Sequence, residues 1–177
     1  MAQFYRMLSR FESDWFLHIN LRWNREALTL LFRLLSLTGG ATFTLSISLA
    51  AGLLAPGAWG TAGWQALIAV AASHIPVMLA KRVSPRSRPY QVLPQTKIGP
   101  SPLRDPSFPS GHTTAAFALL TPWMVASPAL IPVLLPIGAG VALSRVYFGL
   151  HYPSDTAAGM LLGSSTALLV GVMMGAV

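Results

Sequence analysis

Cysteine is absent from this sequence, which excludes disulfides, thiolate metal ligands and a cysteine nucleophile. Charge is scarce too: Asp, Glu, Lys and Arg make up 10% of the chain, against about 25% in ordinary soluble domains. Acidic residues are the rarest, five in 177 positions. Glu12, Asp14 and Glu26 sit near the N-terminal end, so Asp105 and Asp155 alone cannot build a two-metal carboxylate cluster. Histidines at zinc-ligand spacing are missing as well. The sequence therefore predicts metal-independent chemistry and no cofactor.

The positions of the missing charges are informative. No charged residue falls between Ala41 and Ala80, between Pro106 and Ser144, or after Asp155. An apolar crossing of the bilayer takes about 20 residues, so these intervals hold membrane helices. The turn signals divide them into five spans: 34–54, 61–80, 110–126, 130–146 and 154 to the end, with Pro132 and Pro136 kinking the fourth. Gly159, Gly163 and Gly171 in the last span suit close helix contacts. Ahead of them, Phe4, Tyr5, Leu8, Phe11, Trp15 and Phe16 recur near helical spacing among charged residues, the pattern of amphipathic helices at the membrane interface. The predicted fold class is all-α, a polytopic transmembrane helix bundle of about five spans with N-terminal interfacial helices. It forms one domain over 1–177, with an interfacial segment at 1–33 and a transmembrane core at 34–177. The net charge of +7 lies beside apolar spans without interleaved aromatics, so a membrane and a lipid phosphate are the expected partners and nucleic acid is not.

Three short blocks carry chemistry. Lys81 is followed, after six residues, by Arg88-Pro89; then come Pro109-Ser110-Gly111-His112; then Ser144-Arg145, His151 and Asp155. Two uncharged turns between the spans bring all three blocks to one membrane face. Phosphoryl transfer needs cations and N–H donors around three equatorial oxygens. Lys81, Arg88 and Arg145 can supply the cations, and the Arg forks can bind two oxygens at once. Ser110 is a favoured N-cap, and Gly111 lets a phosphate approach the helix N-terminus. Arg82 and Arg86 read as interfacial cations, and His18 and His74 as interfacial or packing residues.

Across eleven positions these blocks resemble the three-part signature of the type 2 phosphatidic acid phosphatase (PAP2) superfamily. The resemblance implies that His151 attacks phosphorus to form phosphohistidine, that His112 protonates the leaving oxygen, and that Asp155 orients His151. It implies a bacterial plasma-membrane lipid phosphate phosphatase acting on undecaprenyl pyrophosphate, phosphatidic acid, phosphatidylglycerophosphate or diacylglycerol pyrophosphate. A lipid phosphotransferase, a vanadium-dependent haloperoxidase and a silent lipid-binding protein are the alternatives; five apolar spans argue against the second, and intact His112, His151 and Asp155 against the third. The positive-inside rule puts the motif face in the cytoplasm, whereas the resemblance favours the extracytoplasmic side. Oligomeric state leaves no trace in the sequence.

Overall fold

The computed structural model of the chain describes residues 11–23, 25–99 and 102–175. Residues 11–17 are helical and run into a π-helical turn, His18–Arg22. Six longer helices follow: α1 (Glu26–Thr38), α2 (Ala41–Leu54), α3 (Gly57–Val83), α4 (Gly111–Ala126), α5 (Ile131–Tyr147) and α6 (Pro153–Met173). The described residues form an all-helical fold of apolar, bundled helices. Residues Met1 to Arg10 of the expected interfacial pattern lie outside the described part.

Among the described residues, three stretches are long and apolar enough to cross a membrane: α3, α5 with the turn before it, and α6. The α1–α2 pair, bent by 58°, makes a fourth if it counts as one span. Helix α4, expected as a full span, has 16 residues. At about 1.5 Å per residue it reaches about 24 Å, short of a hydrocarbon core of about 30 Å. Among the described residues, three or four spans are thus supported by length and composition.

The break in the first span also differs from its expected place. Leu34 lies inside α1, and the chain turns at Gly39-Gly40. A Cβ on Gly39 would stand 2.6 Å from Val141 Cγ1 and 3.0 Å from the His112 carbonyl, so only glycine lets the bend pass this close to α4. Pro132 sits in the first turn of α5, where its missing N–H costs no helical bond, while Pro136 is internal. Gly159 and Gly163 do mediate a close approach, because a Cβ on Gly163 would meet the Thr114 carbonyl of α4 at 2.3 Å. Around that seam Ala66, Ala69, Val70, Ala115, Ala118 and Ala167 pack as a small-residue core.

The N-terminal segment is anchored as well as amphipathic. Phe16 and Ile19 are buried with Phe32, Tyr147, Phe148 and Tyr152, while Phe11 and Trp15 point outward. Asn20 is buried because its amide donates to the carbonyls of Lys97 and Tyr147, both at 2.8 Å, and accepts from the Lys97 N–H at 2.8 Å. These bonds fasten the segment beneath the loops that join α3 to α4 and α5 to α6.

Candidate active site

Lys81 ends α3, Arg88 follows in the loop, Ser110 to His112 open α4, Arg145 ends α5, and His151 and Asp155 flank the start of α6. The ends of four helices thus converge, and the three sequence blocks meet. Arg88 is fully buried and its fork is fully used. Its Nε donates to the Asp105 carbonyl at 2.8 Å, Nη1 to the Leu150 carbonyl at 2.7 Å, and Nη2 to the Asp105 carboxylate at 2.9 Å. Nη1 also lies 3.1 Å from His151 Nε2, which makes that nitrogen the acceptor, since guanidinium only donates. Lys81 pairs with the other Asp105 oxygen and donates to the Pro106 carbonyl at 3.1 Å. The two cations hold Asp105 below the usual carboxylate range despite the desolvation that opposes it.

His151 is buried, and burial is the main cause that lowers its pKa to about 4; Arg88 and Arg145 act in the same direction, and Asp155 opposes them. The ring is therefore neutral near pH 7, with a lone pair on Nε2. Its Nδ1 stands 3.7 Å from Asp155 Oδ2, an ion-pair distance but too long for a hydrogen bond. The carboxylate itself is tightly held. Oδ2 accepts from the Tyr152 N–H at 2.8 Å and from the Ser107 hydroxyl, and Oδ1 accepts from Arg86 Nη1 at 2.7 Å.

Ser110 is buried at the N-cap position of α4, but its side chain makes no capping bond. It accepts instead from the Thr113 hydroxyl at 3.1 Å, while its N–H donates to the Asp155 carbonyl at 3.0 Å, tying α4 to α6. A Cβ at Gly111 would meet nothing within 4 Å, so the helix end is open to an approaching anion. His112 and Arg145 line a cavity of about 770 Å³ with Arg33, Ser36 and Phe43. Arg145 is buried; Nη1 donates to Ser36 at 2.6 Å and Nε has no protein acceptor. Phe43 also lines an adjoining apolar trough, where Ile47, Leu119, Leu134 and Val141 form the walls.

The family model of the PAP2 superfamily matches residues 62–176, well over half of the chain and all three blocks. The chain belongs to the PAP2 superfamily. It is 38% identical over 115 residues to decaprenylphosphoryl-5-phosphoribose phosphatase of Mycobacterium tuberculosis, covering 63% of this chain and 59% of that protein. It is 38% identical over 93 residues to undecaprenyl-diphosphatase of Sulfolobus acidocaldarius, covering 51% of this chain and 45% of the relative. The chain thus spans about three fifths or less of these relatives' length. In fold it is similar to LpxE of Aquifex aeolicus, with a TM-score of 0.79, 21% identity, and coverage of 89% of this chain and 92% of the other. Apolar helices and membership of this family make it a multi-pass membrane protein.

Within the PAP2 frame the sequence overlooked four side chains. Arg86, read as an interfacial cation, bridges Glu12 and Asp155 and lies 4.2 Å from the Tyr152 ring centre. Asp105 joins Lys81 and Arg88, and Ser107 holds the Asp155 carboxylate. Asp105, Ser107 and Arg86 lie beside or inside motif blocks, so proximity was a usable signal. Glu12 offered none, being 74 positions from its partner.

Proposed function

We propose that the chain is a membrane phosphatase that releases inorganic phosphate from a phosphorylated lipid through a phosphohistidine on His151. The observation that carries this reading is the 3.1 Å contact between Arg88 and Nε2 of a buried, neutral His151. A phosphate oxygen that displaces the Asp105 carboxylate from Arg88 Nη2 brings its phosphorus beside His151 Nε2, whose lone pair Arg88 Nη1 must release before attack. Arg145 Nε, buried without an acceptor, and Lys81 would take further oxygens, with Ser110-Gly111 offering the open helix end.

In the first step a bond forms between His151 Nε2 and phosphorus while the bond from phosphorus to the lipid oxygen breaks. His112 gives its proton to that oxygen, so the lipid leaves as an alcohol or, from a pyrophosphate, as a lipid monophosphate. Asp155 offsets the positive charge that develops on His151; closing the 3.7 Å gap to Nδ1 would fix the attacking tautomer. In the second step neutral His112 takes a proton from water. The oxygen then bonds to phosphorus as the bond from phosphorus to His151 Nε2 breaks, which frees phosphate and returns neutral His151.

The substrate class best supported is polyprenyl-linked phosphate or pyrophosphate, because two relatives are named for prenyl-linked substrates and the cavity lined by His112 and Arg145 adjoins an apolar trough. We place the protein in the bacterial plasma membrane with the site facing outward. Rapid quench with ³²P-labelled lipid tests the mechanism: label should appear on the protein in an acid-labile, base-stable form and vanish in His151→Ala. Label absent from the wild type during turnover would remove the phosphohistidine step. A phosphorylated acceptor in place of free phosphate would make the protein a transferase.

A further inference from the structure

We propose that Arg86 and Glu12 are positioning residues for the His151–Asp155 pair, making the N-terminal segment a working part of the site; this rests on the nucleophile reading above. The Asp155 side chain is fully buried, and a buried carboxylate keeps its charge only with donors around it. Its partners are the Ser107 hydroxyl, the Tyr152 N–H and Arg86, and of these three Arg86 alone carries a full charge. Arg86 occupies Oδ1, which leaves Oδ2 as the oxygen that faces His151 Nδ1.

Arg86 is itself held on several sides. Nη2 donates to Glu12 Oε2 at 2.6 Å, Nη1 donates to the Ser154 hydroxyl at 2.7 Å, and the guanidinium lies over the Tyr152 ring. The other Glu12 oxygen accepts the Ser154 N–H at 2.9 Å. That N–H belongs to the first turn of α6, whose early N–H groups lack helical partners. Glu12 therefore caps the catalytic helix from a distant part of the chain and clamps the cation that faces its carboxylate. A planar fork can span two carboxylates at once, whereas an ammonium is a point charge. Exposed ion pairs have small effects, but here one end of the chain of contacts is buried beneath the proposed nucleophile.

The test uses the full-length protein in mixed micelles with a prenyl pyrophosphate, read as single-turnover rate and as kcat and KM. Arg86→Ala should lower kcat on the order of 10- to 100-fold, the scale on which outer partners of a functional histidine act, with KM within about threefold. Arg86→Lys should recover part of the loss. Glu12→Gln, which keeps an acceptor for the Ser154 N–H, should cost less than Arg86→Ala but again in kcat. In an Asp155→Asn background Arg86→Ala should cost under about threefold, since it acts through the carboxylate. Equal losses in both backgrounds, or a rise in KM at constant kcat, would overturn the proposal. If Arg86→Ala fails to fold, Glu12→Gln in the two backgrounds makes the same comparison. His151→Ala run alongside separates the two readings: retained turnover there ends the nucleophile assignment, whereas equal losses beside an inactive His151→Ala end only this one.

Discussion

Asp105 and Arg88 face each other at 2.9 Å, and the second oxygen of the same carboxylate pairs with Lys81. Two of the three cations proposed to bind phosphate are thus engaged by an anion of the chain itself. A substrate phosphate has to compete with that carboxylate. Asp105 is half-exposed, so solvent screens the competition and the effect should be modest. Asp105→Asn should tighten product inhibition by inorganic phosphate by about three- to tenfold, measured as Ki. An unchanged or weaker Ki would mean the carboxylate positions the cations instead of competing for them.

Arg88→Lys should be damaging although it conserves charge. Lysine cannot reproduce donation to Asp105, Leu150 and His151 together, and buried carbonyls are left without donors. We expect kcat/KM to fall on the order of 100-fold or more, with about 1–3 kcal/mol lost in stability. Steady-state phosphate release and thermal unfolding in detergent check both figures.

The titration of His151 gives a test that needs no substrate. An ordinary histidine titrates near pH 6.5, but burial moves this one to about 4. Ring signals of ¹⁵N-labelled protein, assigned with His151→Gln, should stay those of a neutral imidazole down to about pH 5. For stability the sign follows: between about pH 6.5 and 4 the unfolded chain binds a proton that the native ring refuses. This group's contribution is therefore complete above pH 6.5 and declines as pH falls toward 4. A midpoint near 6.5 would count against burial in a cationic site.

Chelator should leave turnover within about twofold, because phosphate charge is met by guanidinium and ammonium groups. Asp105, Asp155 and Glu12 are each committed to cationic side chains, and among the described residues no three His, Asp or Glu cluster at metal-binding distance. Loss of activity in EDTA, restored by a divalent ion, would demand a different mechanism.

Gly163→Ala probes the seam that holds the site together. A Cβ there would stand 2.3 Å from the Thr114 carbonyl and 2.9 Å from the Ala118 nitrogen, atoms that cannot move without shifting α4. Overpacking of this kind costs about 1–3 kcal/mol, so the melting temperature should drop by several degrees. The bond from the Ser110 N–H to the Asp155 carbonyl crosses the same helix pair, so kcat should fall as well.

Much of the molecule was legible in one dimension. Charge-free runs announced apolar helices, since a hydrocarbon phase rejects charge over a fixed length. Motif spacing singled out His112, His151, Asp155 and three cations, and their convergence shows in the structure as the meeting ends of α3, α4, α5 and α6. The missed features depend on contacts distant in sequence. The bend at Gly39-Gly40 was invisible because glycine is common in membrane helices and its reason here is the crowding of Val141 and His112.

Taken by itself, the order of residues determined the helical class, the membrane setting and the set of side chains proposed to handle phosphate, because hydropathy and local spacing are properties of neighbouring residues. Tertiary structure decided which groups pair. It placed Arg86 between Glu12 and Asp155, Asp105 across Lys81 and Arg88, and Arg88 against His151. Each of these pairings answers the same physical demand: a charge taken out of water needs a partner, and the fold brings together partners that lie far apart along the chain.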